Sequence, residues 1–388
     1  MRLPFWKKTL FLSVPLALLF LVLEILFRLV GLEPASDFTA SPQAYFFVSD
    51  AQLGWRNRAH GSYRYAVIDG APVNTTDALG YRNGYGWNTD DHTPIILFVG
   101  DSAVFCGEVN DEATLSSEVA RQLKQKMNVR VLNGGVRGYN TLQSLRWMEQ
   151  TLDRFPAIAM VVYLTSPNDL VENINPITRY PLRAPTAAWD ATRRRLTVHE
   201  VDTLAAPEGR PFTPDKPNTL TRTTRRLRSH SALAHHVGLR LRKLFGTPSV
   251  LRQKITLESG AVGPVDDGMP QWEQQRTWAL QRGSLDAMQH LLEQTHQRCQ
   301  RRGVRFAVTA FTRGEPASWY DEVQALAARA NLPFIDIRPA FTDDPLAYAA
   351  LRRDGLFDPH YGPLGTRTFA LAAAPFIEAA LQKTVEEQ

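Results

Sequence analysis

The clearest periodic signal in the chain is a run of strand-like and helix-like segments that begins at Pro94. Ile95-Ile-Leu-Phe-Val99 is five apolar residues with no polar interruption, followed by Gly100-Asp101-Ser102. A short apolar run of this kind, closed by a glycine turn and followed by a helix-like pattern from Glu108 to Leu123, predicts a parallel strand buried on both faces. Val129–Leu132, Ala157–Leu164, Val304–Ala310 and Pro333–Ile337 repeat the strand pattern. Between them, Thr141–Phe155, Trp272–Arg302 and Tyr320–Ala330 read as helices, and Phe369–Leu381 as a terminal one. Leu142, Leu145, Met148 and Leu152 give the first of these helices a single apolar face. Strands alternating with helices predict a five-stranded parallel sheet between two helix layers.

Outside this region the pattern changes twice. Residues 33–93 are polar and rich in glycine, with only Ser62–Ile68 alternating as a strand would, and read as an arm packed on the main domain beside the membrane. Residues 173–270 form an insertion with little periodicity and many prolines. Within it, Ala234, Val237, Leu241 and Phe245 share a helical face.

At the amino end, Arg2, Lys7 and Lys8 precede an uncharged run from Thr9 to Leu23. Counting through Glu24 to Phe27 gives the ~20 residues of a bilayer span. The basic flank predicts a cytoplasmic amino terminus, and no good small-x-small cleavage site follows. The expectation is a signal anchor over residues 1–32, with the rest of the chain in the periplasm or outside the cell. A cleaved, secreted form is the second reading and a buried core helix the third.

Charge changes this picture locally. The net charge of +5 conceals a segment, Lys216–Thr256, with ten Lys or Arg and no acid, so the remainder is 34 basic against 39 acidic. Such a segment suits an anionic membrane surface or polymer, or is the solvated face of a capping helix. It has almost no aromatic residues for base stacking, which argues against nucleic acid. Two cysteines, Cys106 and Cys299, are too few for a disulfide framework or a zinc site.

Candidate chemistry sits at the strand ends. Ser102 follows the first strand, where ligands lie in open parallel sheets, and Asp101-Ser102 also suits a helix cap. Asn133-Gly-Gly-Val-Arg-Gly-Tyr-Asn140 follows the second strand and Thr165-Ser-Pro-Asn-Asp169 the third. Asp358-Pro-His360 precedes the terminal helix. A serine nucleophile requires an imidazole to take its proton and a carboxylate to hold the imidazole tautomer. Cys106 reads as a small buried residue.

Gly100-Asp101-Ser102, the Asn133–Gly138 loop, Asn168-Asp169 and Asp358-Pro-His360 resemble, in order and spacing, the four blocks of the SGNH (GDSL-type) hydrolase superfamily. The arm sequences Leu53-Gly-Trp-Arg56 and Leu79-Gly-Tyr-Arg82 resemble its exported bacterial members. The resemblance implies a flavodoxin-like three-layer fold over residues 94–388, interrupted by the insertion, and ester hydrolysis without metal or cofactor. Residue by residue, it implies Ser102 as nucleophile and Asp358 and His360 as acid and base. The implied oxyanion donors are the Ser102 and Gly138 backbone N–H groups and the Asn168 side chain. Two features depart from the usual pattern. Ser166 stands where the third block has glycine, with Pro167 after it. The single residue between Asp358 and His360 is similar to the Asp-x-His of some exported polysaccharide-modifying relatives, with Asp354 as the other candidate acid.

The function expected is a carbohydrate O-acetylesterase of envelope or exopolysaccharide, so that the partners are an acylated carbohydrate or lipid and the membrane. Transfer of acetyl to sugar by the same residues is an alternative, as are lysophospholipase or thioesterase activity and a non-catalytic carbohydrate-binding role.

Overall fold

The computed structural model describes residues 5–29, 46–64, 72–84, 93–175, 183–201, 271–312, 318–341 and 360–386, with a few isolated positions between 208 and 237. Asp354, Asp358 and most of the basic segment lie outside the described residues. The chain divides into two compact units, one of Met1–Ala44 with Thr213–Thr256 and one of Tyr45–Phe212 with Leu257–Gln388.

In the first unit, α1 spans Phe5–Leu29. Its Leu18, Leu19, Phe20, Leu21 and Val22 are all exposed, so consecutive residues around the helix are left uncovered. Glu24, the acid that interrupts the apolar run, is fully engaged. It pairs with Arg28 at 2.8 Å and accepts hydrogen bonds from Ser231 Oγ (2.8 Å) and the Leu233 backbone N–H (3.0 Å). Among the described residues no helix is long and apolar enough to cross a membrane.

The second unit begins with two small antiparallel pairs, β1 (Phe47–Asp50) with β2 (Gly54–Asn57) and β3 (Ser62–Arg64) with β4 (Val73–Thr75). Then follow β5 (Ile95–Gly100), the single turn α2 (Ser102–Phe105), α3 (Leu115–Leu123), β6 (Arg130–Gly135), α4 (Thr141–Arg154), β7 (Ile158–Thr165) and α5 (Asp169–Glu172). A hairpin, β8 (Thr186–Asp190) and β9 (Arg195–His199), precedes α6 (Gln271–Gln281), α7 (Ser284–Arg301), β10 (Arg305–Ala310), α8 (Ser318–Arg329) and α9 (Pro363–Glu386).

The central sheet is parallel with strand order β10-β7-β5-β6. The first crossover leads from β5 to β6 and the next returns to β7 on the other side of β5. The carboxyl end of β5 is therefore the topological switch point, where such sheets open a crevice. Ile95–Val99 are 0% exposed, so both faces of this strand are covered. Phe98 meets Phe369 of α9 edge-on at 6.3 Å, while α4 packs against β5 and β6. Truncating a core residue such as Leu97 to alanine costs about 2–5 kcal/mol in settings of this kind.

Four strands form the described sheet, where the sequence pattern predicts five. Residues 333–337 contribute only a parallel bridge from Phe334 to Val308, with Val308 N–H donating to the Pro333 carbonyl and Ile335 N–H to the Val308 carbonyl. Pro333 has no N–H for a longer ladder. The predicted long helix from Trp272 is two helices broken at Gly283. There φ is +69°, and a Cβ would press against the Trp189 carbonyl. That contact comes from the β8–β9 hairpin, an element the insertion's composition concealed. Trp189 also stacks on His290 at 3.7 Å. Finally, the helix expected from Glu108 starts only at Leu115, capped by Thr114, and residues 106–114 form a loop with one 3-10 turn at Asp111–Ala113.

Candidate active site

Ser102 is delivered by the end of β5. Gly100 has φ of 156°, and a Cβ there would meet the Leu164 carbonyl of the neighbouring strand at 2.5 Å, so the turn closes against β7. Asp101 caps α2 by accepting the Ala103 N–H at 2.8 Å. The capping expectation is met by Asp101, and Ser102 beside it is left partly exposed.

Across 258 positions of sequence, His360 reaches this turn, and its Nε2 lies 2.7 Å from Ser102 Oγ. The neighbouring Tyr361 fastens this segment to the end of β10. Its hydroxyl donates to the Thr312 carbonyl at 2.5 Å and accepts the Thr312 N–H at 3.3 Å, and its ring lies against Phe311 and Phe341. With Nδ1 protonated, Nε2 is an acceptor for the serine proton.

The carboxylate beside Nδ1 among the described residues is Glu108, with Oε1 at 3.4 Å. Sequence reasoning missed it by assigning Glu108 to the start of a helix. Cys106 takes φ of 55°, the left-handed turn that ends α2, and Glu108 follows two residues later. Glu108 is 0% exposed and lies 3.5 Å from Arg137 Nη2. The signal was available in Cys106-Gly107 and Asn110-Asp111, a turn-prone composition that interrupts the apparent helix.

The arm supports this loop. Asn74 Nδ2 donates to the Gly107 carbonyl at 3.0 Å, Asn57 Nδ2 to the Gly135 carbonyl at 3.1 Å, and Trp55 Nε1 to the Arg137 carbonyl at 3.3 Å. Tyr139 OH donates to the Trp55 carbonyl at 2.5 Å. Arg82, the last residue of the second arm motif, is buried against the loop that follows α2. It pairs with Asp111 at 3.1 Å, donates to the Val109 carbonyl at 2.8 Å and lies over the Phe105 ring. Burial lowers its pKa to about 10, against the opposing pull of Asp111.

The third strand end is more strongly tied than its sequence suggested. Ser166, in the place where glycine was expected, is buried and donates through Oγ to Asp101 Oδ1 at 2.9 Å. Asn168 Nδ2 donates to Asp101 Oδ2 at 3.1 Å and to Glu172 Oε2 at 2.8 Å, so both amide protons face carboxylates. Asp101 Oδ2 is itself 3.4 Å from Ser102 Oγ. Asp169 accepts from Tyr163 OH, Thr165 Oγ1 and the Ser166 N–H. Burial raises its pKa well above the carboxylate range, and Asp101 adds to the rise.

Gly138, with φ of 77°, is the one partly exposed residue between β6 and α4. Ser102, Gly138, Asn168 and His360 are all partly exposed at the strand ends, whereas Asp101, Glu108, Arg137, Ser166 and Asp169 are buried. The Cys106 thiol is buried and its pKa is pushed up to about 12, which keeps it protonated. Among the described residues no cluster of His, Cys, Asp or Glu could hold a metal ion.

No family model matches the chain, and no curated protein matches it. Among solved structures it is similar to a lipolytic protein of the G-D-S-L family from Desulfitobacterium hafniense, at 7% identity over 74% of this chain and 99% of that one, with a TM-score of 0.37. It is similar also to the lipase/acylhydrolase from Enterococcus faecalis, at 15% identity over 74% and 96%, with a TM-score of 0.36. An acetylxylan esterase from Geobacillus stearothermophilus is similar at 14% identity over 76% and 94%, with a TM-score of 0.36.

Proposed function

We propose that the chain is a serine-dependent acyl-ester hydrolase whose substrate is acetylated carbohydrate of the envelope or an exopolysaccharide. The observation that carries this reading is the 2.7 Å approach of Ser102 Oγ to His360 Nε2 at the switch point of the sheet. His360 takes the Ser102 proton as Oγ attacks the ester carbonyl. The tetrahedral oxyanion collapses to acyl-Ser102, and the departing alcohol leaves with the proton held on Nε2. Water, deprotonated by the same nitrogen, then releases the acid and restores Ser102. The Ser102 and Gly138 backbone N–H groups are the proposed oxyanion donors. Asn168 joins them once one of its amide protons leaves Asp101 or Glu172. Donors held in place in this way are typically worth ~3–4 kcal/mol each. The carbohydrate substrate rests on the Asp-x-His spacing at Asp358 and His360.

The reading is tested with purified full-length protein. It should cleave p-nitrophenyl acetate and acetylated oligosaccharide and take up one fluorophosphonate per chain. Ser102→Ala should lose both properties with an unchanged melting transition, since a partly exposed hydroxyl contributes little to stability. Labelling that persists in Ser102→Ala would sink the assignment. So would wild-type protein inert toward every acyl donor from acetyl to palmitoyl.

We also propose that α1 holds the chain at a lipid bilayer with the second unit outside the cytoplasm. Supporting this are the basic residues before the apolar run, the exposure of Leu18–Val22 and the engagement of Glu24. Release of the protein from membranes by carbonate would contradict it.

A further inference from the structure

Building on the Ser102–His360 reading, we propose that Glu108 is the positioning carboxylate of His360, with Arg137 as its buried counter-ion. For Nε2 to take the serine proton, Nδ1 must carry its own hydrogen, and a negative charge on that side of the ring favours this tautomer and the imidazolium that follows. Glu108 Oε1 stands 3.4 Å from Nδ1, an ion-pair separation rather than a hydrogen bond, on the opposite side of the ring from the 2.7 Å contact to Ser102. The carboxylate is 0% exposed, so no water layer weakens its action on the imidazole.

A buried carboxylate stays ionised only beside positive charge. Arg137 Nη2 is 3.5 Å from the same Oε1, and Arg82 on the other side of the loop feels the Glu108 charge as well. The backbones of both arginines are tied to the arm and the Asn133 loop. The Arg137 backbone carbonyl receives the Trp55 indole N–H, and the Arg82 N–H donates to the Asn133 carbonyl. Gly107 leaves room for Arg137 to reach the carboxylate. The outcome is a nucleophile and an orienting acid on one loop, six residues apart, with the base arriving from the far end of the chain. Asp358, which the SGNH resemblance implies for this role, belongs to the segment before His360 and is the competitor in the test.

Two variants separate charge from shape. Glu108→Gln keeps the volume and removes the charge, whereas Glu108→Asp keeps the charge and withdraws it by one methylene. An orienting charge ranks wild type above Asp above Gln in kcat/KM per fluorophosphonate-reactive site, with about 10²–10⁴-fold lost in Gln. A residue that only fills space reverses the last two. The His360 titration, followed by NMR with its signal assigned by absence in His360→Ala, does not depend on ester cleavage. Removing a negative charge beside an imidazolium lowers its pKa, so Glu108→Gln should move the titration, and the acid limb of kcat/KM, down by about 1–3 pH units. A titration unmoved in Glu108→Gln would overturn the proposal, as would a larger downward shift in Asp358→Asn. A shifted titration in a protein that cleaves no ester would uphold the Glu108 pairing and count against the hydrolase reading alone.

Discussion

The Arg137 guanidinium crosses directly over the α-carbon of Gly107, so that a side chain at 107 would overlap Nη1. Gly107 is therefore needed for what passes above it and not for an unusual backbone angle. Gly107→Ala should push Arg137 from Glu108 and lower kcat/KM by about tenfold or more, because a displacement near 1 Å costs up to ~10²-fold. Its melting temperature should fall by only a few degrees, corresponding to about 1 kcal/mol. Steady-state kinetics beside calorimetry checks this, and unaltered kinetics would show that the guanidinium yields without consequence.

Tyr361 should control the placement of His360 through its hydroxyl. Tyr361→Phe keeps the contacts with Phe311 and Phe341 but removes both bonds to Thr312. The loss in stability should be about 0.5–1.5 kcal/mol, with a fall in kcat larger than any change in KM. Urea titration and initial rates measure the two effects. Equal rates in the variant would mean that ring packing alone positions the histidine.

Asp169 predicts a particular dependence of stability on pH. Its folded pKa is raised by burial, with Asp101 and Glu172 adding to the rise, so the native state holds the proton more tightly than the unfolded chain. Stability from this group is complete below the unfolded pKa and declines as pH rises through the folded value. The slope reaches at most about 1.4 kcal/mol per pH unit. Asp169→Asn does not titrate, so its stability relative to wild type should improve steadily from about pH 5 to 7. Parallel denaturation midpoints for the two proteins across that range would refute the shift.

Much of the scaffold was legible because its signals are local. The apolar runs at Ile95, Val129, Ala157 and Val304 each became a strand of the sheet, and the residues after the first and third runs lie where the site forms. What escaped was non-local. Glu108 fits a helical pattern until the αL turn at Cys106 redirects it, and nothing in its neighbours shows that His360 will arrive above it. Gly283 breaks a helix that periodicity continues because Trp189, from a distant hairpin, occupies its flank. Ser166 read only as a departure from the third block's glycine, yet its hydroxyl finds Asp101 once β5 and β7 are adjacent. The arm motifs around Trp55 and Arg82 were visible as words, while their purpose, bracing the Asn133 and Gly107 loops, depends on contacts across the fold.

The 258-residue separation of Ser102 from His360 sets a schedule for the nascent chain. At roughly 5–20 residues per second of synthesis, the serine precedes its imidazole by tens of seconds. Throughout that interval β5, the Gly107 loop and Arg137 can assemble, but the hydroxyl has no proton acceptor at Nε2. Any reaction that depends on the pair must therefore wait until His360 has emerged, when all but the last 28 residues of the sequence have been made.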